Sequence, residues 1–211
     1  MLTLYFAPGA SSMAVHIALH EIGVPFEGRP ISLAKREQQA PDFLALNPEG
    51  KVPTLLIDGR PLTEVAAILY FLAKRFPQAA LLPQAAGLPQ AAGLPQAAGL
   101  PQDDLEGEAQ AISWMSFIAS SLHPARRLGL EGAKKVYGLA DQRLGEREWA
   151  LGRYSIADIH LFRLYWRFAN SAKPAPGTFP RLSAHYDRMM LRPAVRRTCE
   201  IEAAIGYELP D

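Results

Sequence analysis

Residues 52–64, VPTLLIDGRPLTE, decide the fold. Val52–Ile57 and Arg60–Leu62 are short extended runs on either side of Asp58-Gly59, a pair that accepts the positive φ angles of a tight primed turn, so the stretch reads as a β-hairpin. A proline directly before a strand cannot join a mid-sheet ladder, which places Val52 and Pro53 at an edge with free backbone groups. Working outward, residues 64–76 follow with helical periodicity. Upstream, LTLYF at 2–6 reads as a strand, 11–22 as a helix, PFEGRPIS at 25–32 as a strand and APDFLALNP at 40–48 as a short helix. The order βαβαββα, a crossover between parallel strands followed by an antiparallel hairpin, predicts a four-stranded mixed sheet with helices on its faces.

Beyond it lies LPQAAGLPQAAGLPQAAGLPQ, residues 82–102, three copies of a six-residue unit and part of a fourth. Proline in every unit forbids a continuous helix, so residues 81–102 read as a linker. From Asp103 the pattern is helical. In DDLEGEAQAISWMSFIASSLHPARRL, Ile112, Met115, Ile118, Ala119 and Leu122 form one apolar stripe. Further helices are expected over GAKKVYGLADQRLGEREW (132–149), SIADIHLFRLYWRFAN (155–170) and FPRLSAHYDRMMLRPAVRRTCE (179–200). In the second of these segments, Ser155 and Asp158 have the spacing of a capping box. The fold class is therefore an α/β domain of residues 1–80 followed, after the linker, by an all-α helical domain of residues 103–211.

Composition narrows the function. Twenty-two basic and 21 acidic side chains leave a net charge of +1, which gives no electrostatic basis for nucleic-acid binding or for an anionic membrane surface. No apolar run approaches the roughly 20 residues of a membrane span, and the N-terminus lacks a signal-peptide pattern, so a cytoplasmic location is expected. A single cysteine, Cys199, excludes an internal disulfide and a Cys-x-x-Cys motif. His16 and His20, one helical turn apart without carboxylate or cysteine support, read as a solvated helix face, and no metal is expected.

Three motifs in order, PGASSMAVHIAL (8–19), NPEGKVPTLLIDGRPLTEVAAILYFLAKRFP (47–77) and YSIADIHLF (154–162), resemble the glutathione S-transferases, and within them the bacterial beta class. The resemblance implies a thioredoxin-like first domain, a cis bond before Pro53, and glutathione as co-substrate for conjugation to a small electrophile. It implies a homodimer as well. It assigns the backbone at Val52 and Pro53 to the cysteinyl part of glutathione, and Glu64 with the helix N-terminus at Val65 to the γ-glutamyl group. Lys35, Arg36 and Lys51 become candidates for the glycyl carboxylate. The beta class carries cysteine where this chain has Ser11, followed by Ser12. A serine hydroxyl can donate to a thiolate but cannot form a mixed disulfide, so transferase chemistry remains and thiol–disulfide exchange through this position does not. Either serine fits, Ser11 by alignment with the cysteine and Ser12 by alignment with the serine after it. Phe6 stands where many relatives place a tyrosine, which disfavours tyrosine activation. His123, in SFIASSLHPARR, matches a histidine that approaches the thiol from the helical domain. Two other readings share the same residues: a non-catalytic glutathione-binding or interaction module, and a glutathione-dependent isomerase, dehalogenase or etherase.

Overall fold

The computed structural model describes residues 1–83 and 105–208. The expected linker therefore lies, from residue 84 onward, outside the described residues. The first domain runs β1 (Leu2–Phe6), α1 (Met13–Ile22), β2 (Glu27–Pro30), α2 (Pro41–Leu46), β3 (Thr54–Ile57), β4 (Arg60–Thr63) and α3 (Val65–Arg75). The sheet order is β2-β1-β3-β4, with β1 and β2 parallel and the other two pairs antiparallel. This is the mixed four-stranded sheet that the hairpin and crossover predict. The turn between β3 and β4 has φ of 50° at Asp58 and 84° at Gly59, both positive as a primed turn requires.

In this domain two expectations from local pattern fail for tertiary reasons. β3 pairs on both sides, so Val52 and Pro53 are not on a sheet edge; they precede β3, across a cis peptide bond, where the ladder has not begun. α1 has no solvated face over its first two turns: Met13 to Leu19 are all buried, because β1 covers one side and helices of the second domain cover the other. His16 is thus 2% exposed, and His20 stacks on it with ring centroids 4.9 Å apart.

The second domain comprises α4 (Leu105–Phe117), α5 (Gly129–Leu144), α6 (Ile156–Ala172), α7 (Pro180–Met190) and α8 (Pro193–Ile205). Between α4 and α5 the chain widens into a π-type turn over Ile118–Leu122, tightens into a 3₁₀ turn over Pro124–Leu128, and enters α5 at Gly129 with φ of 69°. The inward face of α4 is Ala111, Trp114, Met115 and Ile118, continued by Leu122; Ile112 and Ala119 are exposed. Trp114 sets this rotation, since its indole N–H donates to the Ala150 carbonyl at 3.1 Å and its ring is buried.

α6 begins with the expected capping box. The Asp158 carboxylate accepts from the Ser155 N–H at 2.9 Å, and its other oxygen accepts from Ala150 N–H at 2.7 Å and from His185 Nε2 at 3.0 Å. One buried carboxylate therefore joins the start of α6, the preceding loop and α7. α6 is buried almost throughout and packs on α1, α3, α4 and α7. One apolar core joins the sheet, α1 and α3 to α6 and α8, and a second lies among α4, α5, α6 and α7. Leu81 and Leu82 belong to the first core, and Leu81 accepts from Ile156 N–H at 2.9 Å.

Candidate active site

The turn from Ala7 to Ser12 is held from three directions. From within, the Ser12 hydroxyl donates to the Ala7 carbonyl and accepts from the Ala7 N–H, at 3.2 and 3.1 Å, and Ser12 is fully buried. From α8, Glu202 accepts from the Gly9 N–H at 2.6 Å while its second oxygen bonds His16 Nδ1 at 2.9 Å. From α6, Arg163 donates through Nε to Ala10 O at 2.9 Å and through Nη2 to Gly9 O at 2.8 Å. Gly9, at φ 71°, adopts a conformation that glycine takes without steric cost. These buried polar contacts fix a turn that would otherwise leave several backbone groups unpaired.

Ser11 faces outward from this turn into a cavity of about 980 Å³ between the two domains. Its hydroxyl donates to the Val52 carbonyl at 2.9 Å. Val52, Pro53, Lys51, Glu64, Val65 and His123 line the same cavity. Ser12, Lys35 and Arg36 do not line it. Ser12 is occupied within the turn, and Lys35 and Arg36 belong to the 32–39 segment, tied to Glu208 through Ser32 and Ala34.

Three features of one wall of the cavity suit an extended, charged ligand. The Val52 N–H has no protein acceptor among the described residues. Glu64 stands at φ 69°, a left-handed conformation costly for a residue with a Cβ, and it sets the direction in which α3 begins. The N-terminus of α3 thereby opens on the cavity at Val65 and Ala66, with unpaired N–H groups that favour an anion. Lys51 lines the same cavity, with its amine 2.8 Å from Glu49.

The helical wall contributes His123, His160 and Arg163. Burial pushes the His123 imidazole down to about 4, assisted by Arg163, Arg126 and Arg127, and pushes His160 down to about 3, so both are neutral near pH 7. Burial also lowers Arg163 to about 10, still charged at neutral pH. Tyr5, on β1, accepts from Arg29 at 2.7 Å and does not line the cavity. Cys199 is half-buried away from it, with its thiol pushed up to about 11 by burial, and is no candidate nucleophile. Among the described residues no cluster of three or more His, Cys, Asp or Glu is placed to hold a metal, and no helix is long and apolar enough to cross a membrane.

Sequence reasoning missed Arg163, Glu202 and His160. A charged Arg163 inside the apolar run SIADIHLFRLYW was a usable sign, and His160 lies three residues before it on the same helix face. Nothing near Glu202 distinguished it from a surface acid.

A thioredoxin-like sheet domain, a helical partner domain and a cavity between them with a helix N-terminus at one end define a two-domain transferase fold. The sequence matches the glutathione S-transferase N-terminal domain over residues 1–74 and the C-terminal domain over residues 116–193. It is 30% identical to glutathione S-transferase GstA of Escherichia coli O157:H7 over 94% of this chain and 98% of that one. The chain belongs to the glutathione S-transferase family. It is also 30% identical to a maleylacetoacetate isomerase of Pseudomonas aeruginosa, over 89% of this chain and 90% of that one. A sphingomonad glutathione S-transferase solved in complex with glutathione superposes with a TM-score of 0.77 at 31% identity, over 95% of this chain and 98% of that one.

Proposed function

We propose that the protein conjugates glutathione to small electrophiles, with the thiolate stabilised by the Ser11 hydroxyl at the start of the first helix. The observation that carries this reading is the convergence of Ser11, the Val52 backbone and the α3 N-terminus on one cavity. Glutathione would extend from Glu64 and Val65, past Val52 and Pro53, toward Lys51. A free thiol near pKa ~8.5 is mostly protonated at neutral pH; two units of depression need about 2.7 kcal/mol of thiolate preference. A helix N-terminus and one charge-assisted hydrogen bond are of that order. Ser11 would release the Val52 carbonyl and turn its O–H to sulfur, a rotation about one side-chain bond. His123, neutral, serves as a hydrogen-bond partner on the opposite wall.

Residues 1–80 act in this reading as the glutathione-binding unit, 81–102 as a linker and 103–211 as the acceptor half, in a cytoplasmic homodimer. The engaged Ser11 hydroxyl favours one other reading, a binding module that does not activate the thiol. Ultraviolet thiolate absorbance of the glutathione complex against pH, followed by turnover with a panel of electrophiles, separates the two. Tight binding without thiolate near neutral pH overturns the transferase reading. Glutathione recovered intact after substrate is transformed points to isomerase chemistry on the same thiol.

A further inference from the structure

The two walls of the cavity differ in charge. The sheet-domain wall carries Glu49 and Glu64 together with Lys51. The helical wall carries Arg126, Arg127, Arg163 and Arg167, and among the described residues no acidic side chain of the helical domain lines it. Like charges gathered around one cavity repel one another, and an uncharged acceptor would leave that repulsion standing. An anion relieves it.

The arginines have distinct positions. Arg163 is committed to the carbonyls of Gly9 and Ala10. Arg127 lines the cavity together with Lys51, whose ammonium is favoured by its bond to Glu49 and only slightly opposed by Arg127, so Arg127 is assigned to the glycyl end of a bound tripeptide. Arg126 is exposed at the cavity wall, among the charges that act on both His123 and Arg163. Neither Arg126 nor Arg127 forms an ion pair with a carboxylate among the described residues. His160, which lines the same cavity, is 2% exposed, and its Nδ1 has no hydrogen-bond partner, an uncommon state for a buried ring nitrogen bordering a cavity.

We infer that the second substrate is an electrophile bearing a carboxylate, seated on Arg126 with its reactive carbon turned toward the thiol beside Ser11. The inference rests on the transferase reading and gives that site a substrate class. A guanidinium recognises a carboxylate through paired N–H donors, so a neutral amide of the same shape is a fair control. With a chloronitrobenzoate the thiolate sulfur bonds to the ring carbon bearing chlorine, and chloride leaves with the C–Cl electron pair. The thiol proton has already passed to solvent, and the carboxylate is unchanged.

The test compares kcat/KM for chloronitrobenzoate and for the matching chloronitrobenzamide, each divided by its uncatalysed rate constant with glutathione. The carboxylate is expected to be preferred by about tenfold, the effect of one charge-assisted contact. Arg126→Gln is expected to remove most of that ratio by raising KM for the benzoate, whereas Arg127→Gln raises KM for glutathione. Equal handling of the two compounds by the wild-type protein overturns the inference and leaves the transferase reading intact. The inference also falls if Arg126→Gln raises KM for glutathione and keeps the ratio. Absence of turnover with both compounds, together with absence of thiolate, overturns the transferase reading and this inference with it.

Discussion

Ser11 and Ser12 are adjacent in sequence and opposite in circumstance. Ser12 spends both its donor and an acceptor on Ala7 inside a fully buried turn, while Ser11 stands at the cavity wall on a single bond to Val52. Their substitutions should therefore separate cleanly. Ser11→Ala is expected to raise the pKa of bound glutathione by one unit or more and to lower kcat by about tenfold to a hundredfold, with little change in stability. Ser12→Ala removes the partner of a buried N–H and is expected to cost about 1–3 kcal/mol in denaturant unfolding, with the thiol pKa unmoved in molecules that remain folded. A thiol pKa that shifts with Ser12→Ala and holds with Ser11→Ala would reverse the assignment. The sequence could not choose between the two hydroxyls because their difference lies in side-chain direction, set by Ala7 and Val52, and not in residue type.

At the scale of elements, features that depend on a few neighbouring residues were legible. The Asp58-Gly59 turn and the Ser155–Asp158 box each follow from backbone chemistry within about four residues, and both are present. Burial of α1 on both sides was not legible, since the partner that removes its solvated face, α8, begins some 170 residues later at Pro193. The face of α4 was legible only in part: Met115, Ile118 and Leu122 are buried as expected, but Ile112 and Ala119 are exposed because Trp114 turns inward to reach Ala150, and no local periodicity encodes that bond. Asp158 shows how a local signal can understate a residue. As a capping-box partner alone it would contribute about 1 kcal/mol. It also accepts from Ala150 and His185, and it is fully buried. Asp158→Ala is accordingly expected to destabilise the protein by about 3 kcal/mol or more, read as a lowered urea midpoint with an unchanged m-value. A loss near 1 kcal/mol would mean that the contacts with Ala150 and His185 add nothing net.

Across the whole molecule, buried polar groups bind the two domains to the same turn. Glu202 ties α8 to Gly9 and to His16 on α1, and Glu202→Ala should leave both donors buried without a partner. A loss of about 3–5 kcal/mol is expected, with a raised KM for glutathione in the folded fraction; unchanged stability would remove this link from the account. The same economy of buried ionisable groups makes stability depend on pH. His20 and His123 are held down to about 4 and His160 to about 3, each chiefly by burial, against an ordinary value of 6.5. As pH falls below 6.5 the unfolded chain takes up protons that the folded chain refuses, so the folded state loses ground progressively toward pH 4. The carboxylates held below their ordinary range, Glu27 and Glu208 by hydrogen bonds from Arg29 and Ser32, and Asp58 by its bond from the N-terminal amine, add to the loss only below about 4.5, where carboxylates begin to titrate. Urea unfolding at several pH values between 7 and 4.5 should thus give a midpoint that falls steadily with acidification. His160→Asn should flatten that slope whatever its effect on the midpoint at neutral pH, because it deletes one group whose protonation favours the unfolded chain. An unaltered slope in His160→Asn would show that His160 accepts its proton in the folded state, and that the helical wall of the cavity is wetter than its packing implies.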